Sequence, residues 1–311
     1  MYSENAFRMS LGRSFRETDE RLAFVTKTPH EGLAPRAQNS NLLPRQLVTL
    51  GYLSDRLPES LISEHLAKSL RAETNAEIVI VRLEPQEGGL PTDAMLNGEF
   101  HMPPEIRKAS GGFHSLTLGV ESRPSSPASV ESLVGQLGRH FRYVLIEIPD
   151  DRRLGAWLEE FLIRSDLAFL FLPRVTEAAY RLEAVAREAR NQCINGGIHV
   201  KPIVCLAEDE PVDGFDTFVQ RVACPAHMFL RGCTTRLSAN ESAPLAAFSS
   251  SFQTDARRLA REIAGHLVGL ALSSGAAKGF AHIGVIQILE ENGIEVDVVA
   301  EANINTYIDT L

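Results

Sequence analysis

The sequence predicts an α/β protein with a mostly parallel sheet and helices on both faces, followed by a second strand–helix–strand unit. Short apolar runs alternate with helical segments of about 10–15 residues between residues 46 and 206. The run at residues 76–83 is almost continuously apolar, which is typical of a strand that is covered on both faces. Parallel strands joined by helical crossovers produce this alternation.

Each element follows from a local pattern. Strands are predicted at the apolar runs, which are residues 47–52, 76–83, 113–120, 143–148, 167–172 and 200–206. Helices are predicted where apolar residues recur at helical spacing, from residue 58 to about 70 and over residues 128–141, 154–163, 177–191 and 253–266. We expect Pro58 at the first helical position, where its missing N–H is tolerated. Residues 86–112 are rich in Gly and Pro and are expected to form a loop.

The length of the chain indicates two domains. Its 311 residues exceed one domain of roughly 150 residues. We expect a polar tail or linker over residues 1–45, an α/β domain over residues 46–250 and the second unit over residues 265–311.

Composition excludes several classes of protein. The net charge of -9 argues against a nucleic-acid partner, because such binding needs clustered Lys and Arg. The four cysteines contain no C-x-x-C pair, so neither a metal site nor a redox site is predicted. There is no apolar leader and no run of about 18 apolar residues, so we expect a cytoplasmic protein without a membrane-spanning helix.

The turn after the first predicted strand, residues 51–60, lies where a phosphate-binding loop would lie in a nucleotide-binding fold. The order of elements over about residues 46–210 resembles the P-loop fold of MinD/ParA-like proteins. It also resembles the segment that precedes the catalytic domain in neuropathy-target-esterase-like proteins. A working loop needs several glycines followed by Lys and Ser or Thr. This turn has one glycine, Gly51, and carries Asp55 and Glu59, which would repel phosphate.

We therefore expect no nucleotide hydrolysis and no cofactor, and interpret residues 46–250 as a regulatory or scaffolding domain. Glu147, at the end of a predicted strand, has two interpretations. It is either a carboxylate that anchors Mg²⁺ or a solvated acid at a strand end, and we favour the second.

Residues 268–285 and 293–300 resemble the start of a patatin-like phospholipase domain. That family begins with a glycine-rich oxyanion loop of pattern Gly-x-Gly-x-x-Gly, with a basic residue before the last glycine. The corresponding residues here are Gly275, Ala276, Ala277, Lys278 and Gly279, preceded by Ser274. Two motif glycines are replaced, whereas the basic residue and the final glycine are retained. The helix expected over residues 278–291 should pack through Ala281, Val285, Ile288 and Leu289.

The family places its nucleophile in a Gly-x-Ser-x-Gly elbow. This pattern aligns with Glu301, Ala302, Asn303, Ile304 and Asn305. The amide of Asn303 is not a nucleophile, so the resemblance implies that no acyl-enzyme forms. The family's Ser–Asp dyad takes its Asp from a later Asp-Gly-Gly/Ala motif, which does not occur before Leu311. We expect a truncated, inactive patatin-like domain.

Two functions remain open. By resemblance, the chain is a member of the patatin-like phospholipase family that has lost activity, with a phospholipid or lysophospholipid as its substrate class and peripheral contact with a membrane. Alternatively, it is a non-catalytic regulatory or binding protein built on a degenerate nucleotide-binding fold, whose truncated domain is completed by a protein partner.

Overall fold

A computed structural model describes most of the chain from residue 46 onward. The described residues are 46–86, 106–124, 127–192, 199–208, 210, 217–222, 228–233, 249–272 and 280–301. The tail predicted over residues 1–45 lies outside them.

The larger of the two sheets that the described residues form, called the main sheet, is almost entirely parallel. Its strands are β1 (Gln46–Tyr52), β2 (Ile78–Pro85), β3 (Arg107–Lys108), β4 (His114–Val120), β5 (Tyr143–Ile148), β6 (Leu167–Pro173), β7 (Val200–Cys205) and β8 (Phe229–Leu230). They lie in the order β3-β4-β2-β5-β1-β6-β7-β8, and only the β3–β4 pair is antiparallel. Every residue of β5 is buried, as the continuous apolar run predicts for an inner parallel strand.

Helices lie on both faces of the main sheet, as predicted. They are α1 (Glu59–Thr74), α2 (Pro127–Leu137), α3 (Gly155–Arg164), α4 (Thr176–Gln192), α5 (Thr217–Val222) and α6 (Ser250–Ala264), with a 3-10 turn at Arg152–Leu154 before α3. Helix α1 packs on β2, β5 and α6, whereas α3 packs on β1, β5 and α4. Because the crossovers that contain α1 and α3 run in opposite directions along the sheet and are right-handed, the two helices lie on opposite faces.

Two local expectations need correction. Pro58 precedes α1 instead of opening it, and its carbonyl accepts hydrogen bonds from the N–H groups of Leu61 and Ile62. Within the predicted loop over residues 86–112, the short strand β3 pairs with β4. Two residues of strand are too short a run to show a periodic pattern, so the sequence gives no signal for β3.

Helix α6 has clear start and stop signals. Ser249 caps its N-terminus, since its Oγ accepts a hydrogen bond of 3.1 Å from the N–H of Phe252. Gly265 ends the helix with a φ of 70°, a left-handed conformation that glycine adopts without strain. The chain then enters the second, smaller sheet.

The small sheet consists of two parallel strands, β9 (Gly269–Leu272) and β10 (Val298–Glu301), joined by helix α7 (Phe280–Glu291). The strand–helix–strand order agrees with the sequence. The prediction that α7 packs through its apolar face is wrong, however, because Val285 is 48% exposed and Ile288 is 57% exposed. Two strands of four residues offer little surface to a helix of twelve. Among the described helices, none is long and apolar enough to span a membrane.

The packing around β1 can be tested at Gly51. A Cβ atom at this position would lie 2.7 Å from Leu170 Cδ2 of β6 and 2.9 Å from Leu158 Cδ1 of α3. We expect Gly51→Ala to lower the free energy of unfolding by about 1–3 kcal/mol, measured by urea denaturation, because the buried neighbours must shift.

Gly269 of β9 provides the matched control. A Cβ atom there would meet no described atom within 4 Å, so Gly269→Ala should change stability by less than about 0.5 kcal/mol. Equal effects of the two substitutions would contradict this account of the packing.

Candidate functional site

The candidate site lies where the connections of two neighbouring strands diverge. Strand β1 leads through α1 to β2, and its neighbour β5 leads through α3 to β6 on the opposite side of β1. Such a topological switch point leaves a crevice at the carboxyl ends of the strands, which is the usual ligand site of an open parallel sheet. We call this place the switch-point crevice; its two sides are residues 53–59 after β1 and residues 149–154 after β5.

The first side of the crevice does not have the form of a phosphate-binding loop. Such a loop points its backbone N–H groups at the ligand. Here several of these donors bond within the protein, namely those of Leu53, Arg56, Leu57 and Glu59. Pro58 has no N–H to offer. The loop is therefore stabilised by its own hydrogen bonds and does not require an anion.

A carboxylate occupies the helix terminus where a phosphate would otherwise be favoured. Glu59 lies in the first turn of α1, and its Oε1 accepts a hydrogen bond of 3.2 Å from the backbone N–H of Asp150. The positive end of the helix dipole attracts anions. Glu59 places a carboxyl group at this position from within the chain and bridges the two sides of the crevice.

The protonation state of Glu59 changes close to neutral pH. Burial raises the pKa of Glu59 from 4.5 to about 7, and the charges of Glu147 and Asp150 raise it further against the opposing hydrogen bond from Asp150. Loss of the proton leaves a partly buried anion beside two other acids, so the surroundings of Glu59 favour its neutral form, although the hydrogen bond from Asp150 favours the anion.

Arg181 of α4 forms a second bridge across the crevice. Its Nη1 lies 2.6 Å from Asp150 Oδ2 and donates a hydrogen bond of 2.9 Å to the carbonyl oxygen of Leu53. Its Nη2 also donates to Asp150. The guanidinium thus joins the loop after β1 to the loop after β5. A basic residue at a phosphate site would need to be available to the ligand, whereas Arg181 is bonded to the protein.

Glu147 is not the solvated acid that we expected. Its side chain is 1% exposed and accepts hydrogen bonds from Arg82 of β2 and Ser63 of α1. The strand order places β2 beside β5, and Arg82 is the register partner of Glu147. A buried carboxylate requires such partners, because an unpaired buried charge costs several kcal/mol. The Mg²⁺-anchoring interpretation gains no support, because both carboxylate oxygens already accept protein hydrogen bonds.

Tyr52 completes the packing beneath the crevice. Its ring stacks on Phe171 at a centroid distance of 5.0 Å, and its hydroxyl donates a hydrogen bond of 3.0 Å to the carbonyl oxygen of Glu59. Burial raises the pKa of the Tyr52 hydroxyl well above 10, with a further contribution from Glu147. Tyr52 is therefore a neutral donor that fixes the first turn of α1.

The chemistry of the crevice is that of a closed structural contact. Three carboxylates, those of Glu59, Glu147 and Asp150, face two arginines, and both arginines are paired with these acids. A triphosphate entering here would meet these acidic side chains and no lysine from residues 53–59; the basic residues within the two loops, Arg56, Arg152 and Arg153, are exposed. Within the described ranges, no group of His, Cys, Asp or Glu side chains is arranged to hold a metal ion.

Most residues of the predicted patatin-like site lie outside the described residues. These are Gly275, Ala276, Ala277, Lys278, Gly279, Asn303 and Asn305. Glu301 is the last residue of β10, and it is the register partner of Leu272 in β9. The carboxyl ends of β9 and β10 thus lie side by side.

Sequence reasoning did not find Asp150 or Arg181. Asp150 follows Pro149 directly after β5, so its position at the carboxyl end of a strand was a usable signal. Arg181 lies on an exposed part of α4, and no local pattern distinguishes it from other helix-surface arginines. Only the sheet order brings it to the crevice.

Part of the chain is similar to fungal lysophospholipases. It is 47% identical over 68 residues to lysophospholipase nte1 of Aspergillus fumigatus, which covers 22% of this chain and 4% of the relative. It is 44% identical over 122 residues to lysophospholipase nte1 of Aspergillus niger, which covers 38% of this chain and 8% of the relative. The matches span less than a tenth of these relatives. No protein-family model matches the chain.

The fold is similar to that of a ParA family ATPase from Chlorobium tepidum. The TM-score is 0.50 at 10% sequence identity, and the likeness covers 70% of this chain and 98% of that protein. Identity this low establishes the fold alone. The P-loop-like fold class is confirmed, and the predicted link to neuropathy-target-esterase-like proteins is confirmed in part.

The raised pKa of Glu59 predicts a pH-dependent stability. In the unfolded chain Glu59 ionises near its ordinary value of 4.5, whereas in the folded protein it keeps its proton to about pH 7. This contribution to stability is complete below about pH 4.5 and is lost as the pH rises through 7. Glu59→Gln stays neutral and keeps a carbonyl acceptor for Asp150. We expect the free energy of unfolding of Glu59→Gln to rise relative to that of the unmodified chain, by about 1 kcal/mol more at pH 8 than at pH 5. Solvent screening of this partly exposed group limits the effect.

Denaturation curves at the two pH values measure this difference. Asp55→Asn is the control, because it removes an exposed charge from the same loop without altering Glu59. A gain for Glu59→Gln that is the same at both pH values, or equally large for Asp55→Asn, would contradict the assignment.

Proposed function

We propose that the chain is a catalytically inactive relative of patatin-like lysophospholipases. The similarity to fungal lysophospholipases carries this proposal. In it, residues 46–250 are a structural or regulatory domain and residues 265–311 are patatin-like, with phospholipids or lysophospholipids as the related substrate class. The side-by-side ends of β9 and β10 support the second assignment, because an oxyanion loop and a nucleophile elbow must approach the same substrate atoms.

Asn303 supports the loss of activity. Ester hydrolysis in this class begins with attack of a serine oxygen on the acyl carbon, which forms a covalent acyl-enzyme. The amide of Asn303 cannot supply that oxygen. The charged Glu301 and the larger Asn305 replace flanking glycines that allow a strand and a helix to approach closely at such an elbow.

The switch-point crevice supports a structural role for residues 46–250. The bridges made by Glu59 and Arg181 connect both sides of the crevice without a ligand. A domain that must exchange nucleotides would need these positions free for phosphate. We propose that the internal bridges replace the nucleotide as the element that holds the two loops together.

A second candidate role is binding of a protein partner. Several large apolar side chains are exposed on and near α7, namely Ile283, Val285, Ile288, Ile294 and Val299. A concentration of exposed apolar side chains is typical of an interaction surface. This role is compatible with the first and would make the chain a binding relative of the lysophospholipases.

Hydrolysis assays test the loss of activity. With a short-chain nitrophenyl ester and with lysophosphatidylcholine, we expect the full chain to release product within about twofold of the buffer rate, because no side chain at the elbow forms an acyl-enzyme. Asn303→Ala serves as the matched variant and should be indistinguishable from the unmodified chain.

Hydrolysis that Asn303→Ala abolishes would contradict the proposal and make Asn303 a participant. Hydrolysis that the variant retains would also contradict it and would point to another nucleophile. Asn303→Ser additionally tests whether a hydroxyl at this position alone restores turnover.

A further inference from the structure

Helix α6 is joined to the small sheet mainly through charged side chains. It carries three arginines, and two of them pair with acids just before β10. Arg261 Nη2 lies 3.2 Å from Asp297 Oδ2, and Arg257 Nη1 lies 3.0 Å from Glu295 Oε2. Both acids belong to the segment that leads from α7 into β10.

Asp297 connects three elements at once. The Oδ2 atom that faces Arg261 also accepts a hydrogen bond of 2.7 Å from the N–H of Val268, the residue before β9. The backbone N–H of Asp297 in turn donates to the carbonyl oxygen of Val268 at 2.9 Å. One side chain thus ties the starts of β9 and β10 to each other and to α6.

The Arg261–Asp297 pair is buried, unlike the neighbouring pair. The side chains of Arg261 and Asp297 are 10% and 5% exposed, whereas those of Arg257 and Glu295 are 50% and 57% exposed. Removing one partner of a buried pair leaves an uncompensated charge and is strongly destabilising, whereas exposed pairs contribute little. The contact between α6 and the small sheet therefore depends on the buried pair.

Apolar packing does not replace this contact. A cavity of about 470 Å³ lies between α6 and the segment formed by α7 and residues 293–297, and both Arg261 and Asp297 line it. Apolar side chains across such a gap lose the close contacts that would hold them together. The contact is therefore made by oriented polar groups. Contacts between domains that can move relative to one another are often polar in the same way.

We propose that Arg261 and Asp297 form the joint that positions the small sheet on α6. Since β9 and β10 are short and start at this joint, its geometry also sets where their carboxyl ends lie. Arg261 and Asp297 are positioning residues, and neither is placed in any catalytic step. The joint does not depend on whether the chain hydrolyses or binds a lipid.

Hydrogen exchange of the full 311-residue chain tests the joint. Arg261→Met removes the charge but keeps an aliphatic side chain. We expect exchange of the amides in β9 and β10 to accelerate about tenfold or more, with less than about a twofold change in β1 and β5, because only the small sheet loses its anchor. Arg261→Lys retains a charge and should show a smaller acceleration.

Two further variants make the result decisive. Asp297→Asn removes the charge but keeps an acceptor for Val268, and it should also accelerate exchange selectively in the small sheet. Arg257→Met removes the exposed pair but leaves both Arg261 and Asp297 in place, and it should have little effect on exchange in the small sheet. Glu295 itself is not a suitable control, because its Oε2 also lies 3.6 Å from Arg261 Nη1. Unchanged exchange of β9 and β10 in Asp297→Asn overturns the proposal, even if Arg261→Met does not fold. Equal acceleration in both sheets, or an effect of Arg257→Met as large as that of Asp297→Asn, also overturns it.

Discussion

The parallel pairing of β1 with β5 and β6 is the constraint on which the rest of the main sheet depends. Residues 47–52 of β1 are all buried, and β1 has hydrogen-bonded partners on both sides. With β1 in this place, the crossover to β2 must leave on one side of the sheet and the crossover from β5 on the other. The switch-point crevice, the start of α1 and the loop that carries Asp150 are consequences of this one arrangement.

The crevice shows how a fold can retain its geometry while its chemistry changes. A helix N-terminus at a switch point favours an anion, and nucleotide-binding proteins satisfy it with phosphate. In this chain the carboxyl group of Glu59 takes the place of that anion, and the neighbouring Asp150 forms an ion pair with Arg181. The similarity to a ParA family ATPase therefore establishes the fold, whereas function has to be inferred from the residues of the site.

Local patterns in the sequence predicted the six longer strands of the main sheet, but not the two-residue strands β3 and β8 or the polar contacts. Strand β5 lies at the predicted residues 143–148, because six consecutive buried positions give an apolar run that is independent of the partner strands. The prediction that Glu147 is exposed to solvent was wrong. Its partner Arg82 is 65 residues away in the sequence and becomes adjacent only through the order of β2 and β5. The prediction of a packed face on α7 was also wrong, because periodicity identifies an apolar face but does not show whether another element covers it.

We propose that internal carboxyl groups have replaced the phosphate ligand of the switch-point crevice. A calorimetric titration of the full chain with ATP and Mg²⁺ tests this most directly. We expect no saturable heat up to about 1 mM nucleotide, which corresponds to a binding free energy weaker than about -4 kcal/mol. Saturable binding with a Kd in the micromolar range would contradict this proposal. The crevice would then hold a triphosphate despite the acidic side chains of Glu59 and Asp150 and despite the pairing of Arg181 with Asp150.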